Sequence, residues 1–210
     1  MAKSFFDSVK SFFSKLFGSQ RQIRLGCYGS PNAGKTTLAN NISKEFMGKE
    51  VGKVSSVPHE TREVTEVEHI EMNSDGKKLV INLVDTPGIA TKIDFEDFIK
   101  HGIKKKAAKT RAKEATQGII EAIKWLDKMD LVLVVIDSTI DPYNQVNLTI
   151  LGNLEARKIP VIIVANKIDL KNSNINRVKE MFPQYDIVGI SAKTGKNMPE
   201  LYKAIFKVAR

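Results

Sequence analysis

The octapeptide GSPNAGKT, Gly29 to Thr36, constrains this chain more than any other stretch. A glycine, four residues and Gly-Lys-Thr follow the apolar run QIRLGCYG and lead into a segment with helical periodicity, Thr36 to Met47. A strand that bends over glycines into a helix leaves backbone amides converging at the helix start, where the helix dipole adds positive potential. Gly29 and Gly34 permit the bend, Lys35 supplies a point charge for the outer phosphates of a nucleotide, and the Thr36 hydroxyl suits Mg2+. Asn32, Ala33, Gly34, Lys35, Thr36 and Thr37 are the nucleotide contacts this predicts. A glycine turn that merely caps a helix is the bland alternative, and the flanking strand and helix argue against it.

Such a loop belongs at the carboxyl end of a strand in a sheet covered by helices, and the remaining pattern agrees. Strands are predicted at QIRLGCYG, VTEVEHIEM, KKLVINLVD, DLVLVVID, IPVIIVAN and YDIVGIS. Helices are predicted over Thr36–Met47, Phe98–Met129, Tyr143–Arg157, Ile175–Phe182 and Met198–Ala209. NSDGKK reads as a hairpin turn, so one edge of an otherwise parallel sheet runs antiparallel. The 210 residues suit one α/β domain, and 42% hydrophobic with 27% charged residues reads as globular. A membrane span and a secretory signal are both lacking in the pattern, which predicts a cytoplasmic protein. The single cysteine, Cys27, lies in an apolar strand and is read as packing. A net charge of +9 favours anionic partners without choosing among them.

Two further motifs follow strands. Asp85 ends KKLVINLVD and opens DTPG, where its carboxylate would face the same Mg2+ while the Gly88 amide touches the terminal phosphate. As an isolated tetrapeptide DTPG is no more than a turn; together with the phosphate loop it gains a role. NKID, Asn166 to Asp169, follows VIIVA, and the Asp169 carboxylate can accept both donors of a guanine edge, a pair that adenine lacks. Asn166 and Lys167, earlier in the same tetrapeptide, are read as nucleotide contacts with it. Ser191, Ala192 and Lys193 follow the last strand and can offer a backbone N–H to the guanine O6.

In this order the motifs GSPNAGKTTLANNI, VSSVPHETRE, VDTPGI, ANKIDL and SAKTGKN resemble the translation-factor-like GTPases of the Era and TrmE type, over roughly Ile23 to Arg210. The resemblance implies a P-loop NTPase G domain with a six-stranded, mainly parallel sheet, GTP and GDP as ligands, Mg2+ as cofactor and hydrolysis to GDP and phosphate. It implies Thr61, in PHETRE, as the switch I residue that closes on Mg2+, although His59 and Glu60 stand where the family often has glycine and threonine. Lys35, Thr61, Gly88 and Asn32 are then the catalytic set, with Thr36, Thr61 and Asp85 on Mg2+. Ile89 stands where Ras-like proteins carry a glutamine that orients water, so hydrolysis is expected to be slow or completed by another group. Asn32 matches an asparagine that helps hold K+ in the TrmE branch; a turn residue that tolerates the loop conformation is the equal alternative. Era continues into an RNA-binding KH domain, whereas this sequence ends at Arg210 with its last helix, so that RNA function is not expected to transfer.

Two segments bear on partners. In KSFFDSVKSFFSKLF, the residues Phe5, Phe6, Val9, Phe12, Phe13, Leu16 and Phe17 fall within roughly 140 degrees of a helical wheel. Residues 1–18 are therefore read as an amphipathic helix and 19–22 as a linker, leaving 23–210 for the nucleotide-binding domain. The phenyl face suits an anionic membrane surface, placing the protein peripherally on the inner face. Packing on the domain or a second copy, or a protein partner, are the other readings. Between Phe98 and Lys113 there are many cations and no acid, inside an enlarged switch II of about residues 88–128 with Gly102 and Gly118 as flexible points. That run is read as a solvated helix face, or as a contact for RNA phosphates or acidic lipid. Membrane-recruited switch, ribosome or RNA assembly factor, and slow GTP-loaded scaffold are the three biological classes left, with nucleotide-dependent pairing of two copies and the effector open.

Overall fold

The computed structural model describes residues 22–52, 61, 63–74, 77–90 and 93–209. The predicted amphipathic helix and its linker lie almost wholly outside these residues, as does most of the VSSVPHETRE segment.

Six strands form one sheet in the order β2-β3-β1-β4-β5-β6. They are β1 (Gln22–Gly29), β2 (Thr65–Ser74), β3 (Lys77–Asp85), β4 (Leu131–Asp137), β5 (Val161–Asn166) and β6 (Asp186–Gly189). All neighbours are parallel except β2 and β3, the predicted hairpin, whose register runs from Thr65 opposite Asp85 to Ser74 opposite Lys77. A bulge between Val67 and Ile70 interrupts that ladder, with His69 at φ +62°.

Alternate residues of each strand feed opposite faces, and two cores result. On one face Leu25, Leu83, Leu133 and Val164 pack with Leu38 and Ile42 of α1 (Lys35–Met47) and with Leu201 and Ile205 of the C-terminal helix Met198–Val208. On the other, Tyr28, Val84, Val134 and Ile163 pack with Ala122, Leu154 and Val178 from the remaining helices. The β4 run LVLVVID is buried on both faces for its first six residues, which is why it carries no polar alternation.

The segment predicted as one helix over Phe98–Met129 is three elements. It comprises α2 (Phe95–Lys100), α3 (Lys105–Trp125) and a 3-10 turn at Leu126–Lys128. The break is a helix stop at Gly102, whose φ is +81°. The Gly102 N–H donates to Ile99 O at 2.8 Å and the Ile103 N–H to Phe98 O at 3.1 Å, while Ile103 packs on buried Phe98. This pairing of a left-handed glycine with two reaching-back amides and an apolar contact ends helices. Gly118, the other predicted flexible point, is buried inside α3 without a break. The later helices are α4 (Gln145–Ala156), α5 (Ile175–Met181) and α6 (Met198–Val208); Asn144 and Asn174 cap the first two through their side chains. Among the described residues no helix is long and apolar enough to cross a membrane.

Candidate nucleotide site

The loops after β1, β3, β5 and β6 gather at one edge of the sheet, as expected for the carboxyl ends of parallel strands. After β1, Asn32 takes φ +58° and Gly34 φ +98°. A Cβ on Gly29 would lie 2.3 Å from Val135 O, and one on Gly34 would lie 2.2 Å from Asn166 Nδ2. Both positions therefore exclude any side chain, in addition to the backbone turn they make. Lys35 is 5% exposed and its ammonium donates to Ser30 O at 2.8 Å. Burial pulls its pKa down to about 8, against the opposing pull of Asp85 and Cys27. A buried ammonium so placed is short of compensating negative charge.

Thr36, Asp85 and Thr61, read from three separate motifs, come together. Thr36 Oγ1 donates to Asp85 Oδ2 at 2.7 Å and lies 3.0 Å from Thr61 Oγ1. Asp85 is 1% exposed, burial raises its pKa most strongly, and its Oδ1 has no hydrogen-bond partner among the described residues. A buried carboxylate oxygen without a donor is costly, and a hard divalent cation with oxygen ligands is the group that removes the cost. Two hydroxyls and a carboxylate are the donor set such a cation prefers, so the residues fit Mg2+.

DTPG leans on the phosphate loop. Ile89 N–H donates to Gly29 O at 3.1 Å, and a Cβ on Gly88 would meet Pro31 Cα at 2.8 Å. Thr86 Oγ1 donates to Cys27 O at 2.7 Å, anchoring the turn to β1. The Ile89 side chain, 5% exposed, belongs to the core cluster of Tyr28, Val84 and Ala122. It anchors the turn and has no group with which to orient a water.

The motifs NKID and SAK also meet. Asn166 Nδ2 donates to Ala33 O at 2.8 Å, and its Oδ1 accepts from Lys167 N–H at 2.8 Å and Ala192 N–H at 2.9 Å. One buried amide thus joins the phosphate loop, NKID and SAK, a role that the sequence does not reveal because its partners lie far away along the chain. Lys167, at φ +69°, pairs with Asp137 Oδ2 at 2.5 Å. Asp169 is exposed, and a hydrogen bond from Ser191, chief among its influences, holds its carboxyl below the usual range, with Lys193 and Lys167 adding to the effect. Of the Ser191–Lys193 backbone, read as offering an N–H to guanine O6, the Ala192 N–H is engaged with Asn166, so a base oxygen at that amide has to share the bond. Asn41 Nδ2 donates to Ala192 O at 2.5 Å, fixing the SAK turn from α1.

Comparison with known proteins gives a consistent relationship. The chain is 30% identical over 184 residues to the GTPase Era of Clostridium acetobutylicum, covering 85% of this chain and 53% of that protein. It is 31% identical over 183 residues to the tRNA modification GTPase MnmE of Legionella pneumophila, covering 86% and 33%. Among solved structures, Era in complex with MgGDPNP and nucleotides 1506–1542 of 16S ribosomal RNA superposes with a TM-score of 0.68 at 27% identity, covering 90% of this chain and 57% of that one. The chain thus spans about half or less of the length of these relatives. Residues 24–167, the stretch from β1 through Lys167 that carries the phosphate loop, Asp85 and the start of NKID, match one family over more than half of the chain, and the chain belongs to that family, the 50S ribosome-binding GTPases.

Proposed function

We propose that this chain binds GTP and GDP with Mg2+, hydrolyses GTP slowly, and acts as a switch. The observation that carries the reading is Thr36 Oγ1 set between Asp85 and Thr61, with the second Asp85 oxygen unpartnered among the described residues, at the mouth of a loop tied by Asn166 to the NKID and SAK turns. Mg2+, which Thr36, Asp85 and Thr61 would hold, would supply positive charge against phosphate oxygens. The loop amides and the Lys35 ammonium cradle the phosphates and stabilise charge that shifts onto the leaving oxygens. Asp169 selects guanine over adenine, because a carboxylate takes both donors of the guanine edge. Ile89, buried and apolar, leaves water unpositioned, and the slow rate follows from that.

Potassium stimulation through Asn32 is the finer form of the proposal. Asn32 is exposed on the phosphate loop, and its left-handed backbone suits a turn residue as well as an ion ligand. Phosphate release measured in K+ and in Na+ separates the two, equal rates assigning Asn32 to the turn. Calorimetry with GTP, GDP and ATP tests the core reading: the guanine nucleotides bind only with Mg2+ at full affinity and ATP does not compete, whereas equal uptake of ATP removes Asp169 from its role.

For partners, a ribosomal or RNA role is favoured by the family itself. Attachment to an anionic membrane through residues 1–18 is the second reading, resting on the phenylalanine-rich face of that segment. Co-sedimentation with ribosomes and flotation with anionic vesicles, each with the full chain and with residues 1–18 removed, decide between them.

A further inference from the structure

We propose that Asn40 is a positioning residue for the magnesium and phosphate site, holding the backbone of Val51 and Gly52 against the Thr36–Asp85 pair. The inference deepens the functional reading above and rests on it.

The inward face of α1 is otherwise small or apolar around this point, with Leu38, Ala39, Ile42 and Ser43 buried. Asn40 is 7% exposed, so a side-chain amide here needs partners. It has three. Its Oδ1 accepts from Val51 N–H at 2.7 Å and Gly52 N–H at 3.0 Å, and its Nδ2 donates to Gly52 O at 2.7 Å. A carboxamide that bonds both the N–H and the C=O of one residue fixes that residue in position and in orientation, as a ladder partner does in a sheet.

What it holds matters for the site. A Cβ on Gly52 would lie 3.3 Å from Thr36 Cγ2 and 3.9 Å from Asp85 Oδ2, so this backbone lies directly over the carboxylate and the threonine that fit the cation. Thr36 and Asn40 are four residues apart on α1, which puts them on the same face one turn from each other. One helix turn therefore sets the spacing between a metal ligand and the clamp on the backbone that covers it. The Thr61 hydroxyl reaches the same Thr36 from the far end of the predicted switch I, 3.0 Å away.

The alternative is an anchor that stabilises the fold and leaves the site alone. Release of fluorescently labelled GDP, measured with Mg2+ and again with EDTA, distinguishes them. For Asn40→Ala in the full chain, release in Mg2+ is expected to be about tenfold faster, the scale set by losing these hydrogen bonds, with release in EDTA within about twofold of the parent. The half-saturating Mg2+ concentration for GDP retention rises by a similar factor. Asn40→Leu, close in volume, guards against a cavity effect and is expected to behave like Asn40→Ala; Asn40→Asp, which keeps both amide bonds, falls between it and the parent. Hydrogen exchange at the Val51 and Gly52 amides quickens in the first two variants. Parent-like release in Mg2+ overturns the inference, and so does equal acceleration in Mg2+ and EDTA. A parent chain that retains no guanine nucleotide overturns the functional reading itself, whereas a parent that does so with unaltered variants overturns this inference alone.

Discussion

At Gly34 a single hydrogen separates a working loop from a broken one. The left-handed backbone disfavours any L side chain by about 1–2 kcal/mol, and a methyl group there also strikes the Asn166 amide that links the two halves of the site. Gly34→Ala is therefore expected to lose about 2 kcal/mol or more in urea unfolding and most of its nucleotide affinity. Asp85 behaves differently. Burial disfavours its charge and one oxygen has no donor among the described residues, while the buried Lys35 ammonium favours that charge, so Asp85→Asn is expected to leave the stability of the nucleotide-free chain within about 1 kcal/mol of the parent. The same change removes the carboxylate that fits Mg2+, and GDP release in Mg2+ should quicken by about tenfold or more. Stability and nucleotide retention moving apart is the signature; a parallel fall in both would place Asp85 in the fold alone.

Among the elements, the stretch between DTPG and β4 shows what a periodic pattern leaves open. Residues from Phe98 onward satisfy helical spacing, yet α2 stops at Lys100 and α3 starts at Lys105. Gly102 was readable as a weak point; that Ile103 reaches back to Phe98 and closes the stop was not, because the closing contact needs the three-dimensional turn to exist first. Open space surrounds Gly102, so Gly102→Ala meets no clash and carries the left-handed penalty alone. A loss of about 1 kcal/mol, with faster hydrogen exchange confined to α2, is the expected result. Gly118 shows the converse: a glycine in the same segment that burial inside α3 leaves in an unbroken helix. Strands were easier to read, since apolar runs of this length buried on both faces have few other uses.

At the scale of the molecule, Asn166 and Ala33 are 133 residues apart and form one hydrogen bond. That bond and the two that Asn166 accepts make the site a single body assembled from both ends of the chain. Asn166→Ala is expected to cost about 2–4 kcal/mol, because three partners, two of them in buried hydrogen bonds, lose it together. Adding GDP and Mg2+ at about a hundredfold excess over Kd should raise the stability of the parent by about 2.7 kcal/mol, read as an increase in Tm, and Mg2+ removal should abolish most of the gain. In Asn166→Ala the increase should be much smaller.

The sequence by itself determined the phosphate loop, the aspartate after β3, the position of the NKID tetrapeptide at the end of β5, the hairpin edge and the parallel sheet, since each depends on local chemistry: residue type, spacing of a few positions, and the strand just before it. Tertiary structure alone decided that Asn166 serves the loops as their common link, that the Ala192 amide is engaged with it, that Ile89 is core, and that Asn40 clamps Gly52. These depend on which distant groups meet, and a chain's order does not state distances between residues a hundred positions apart.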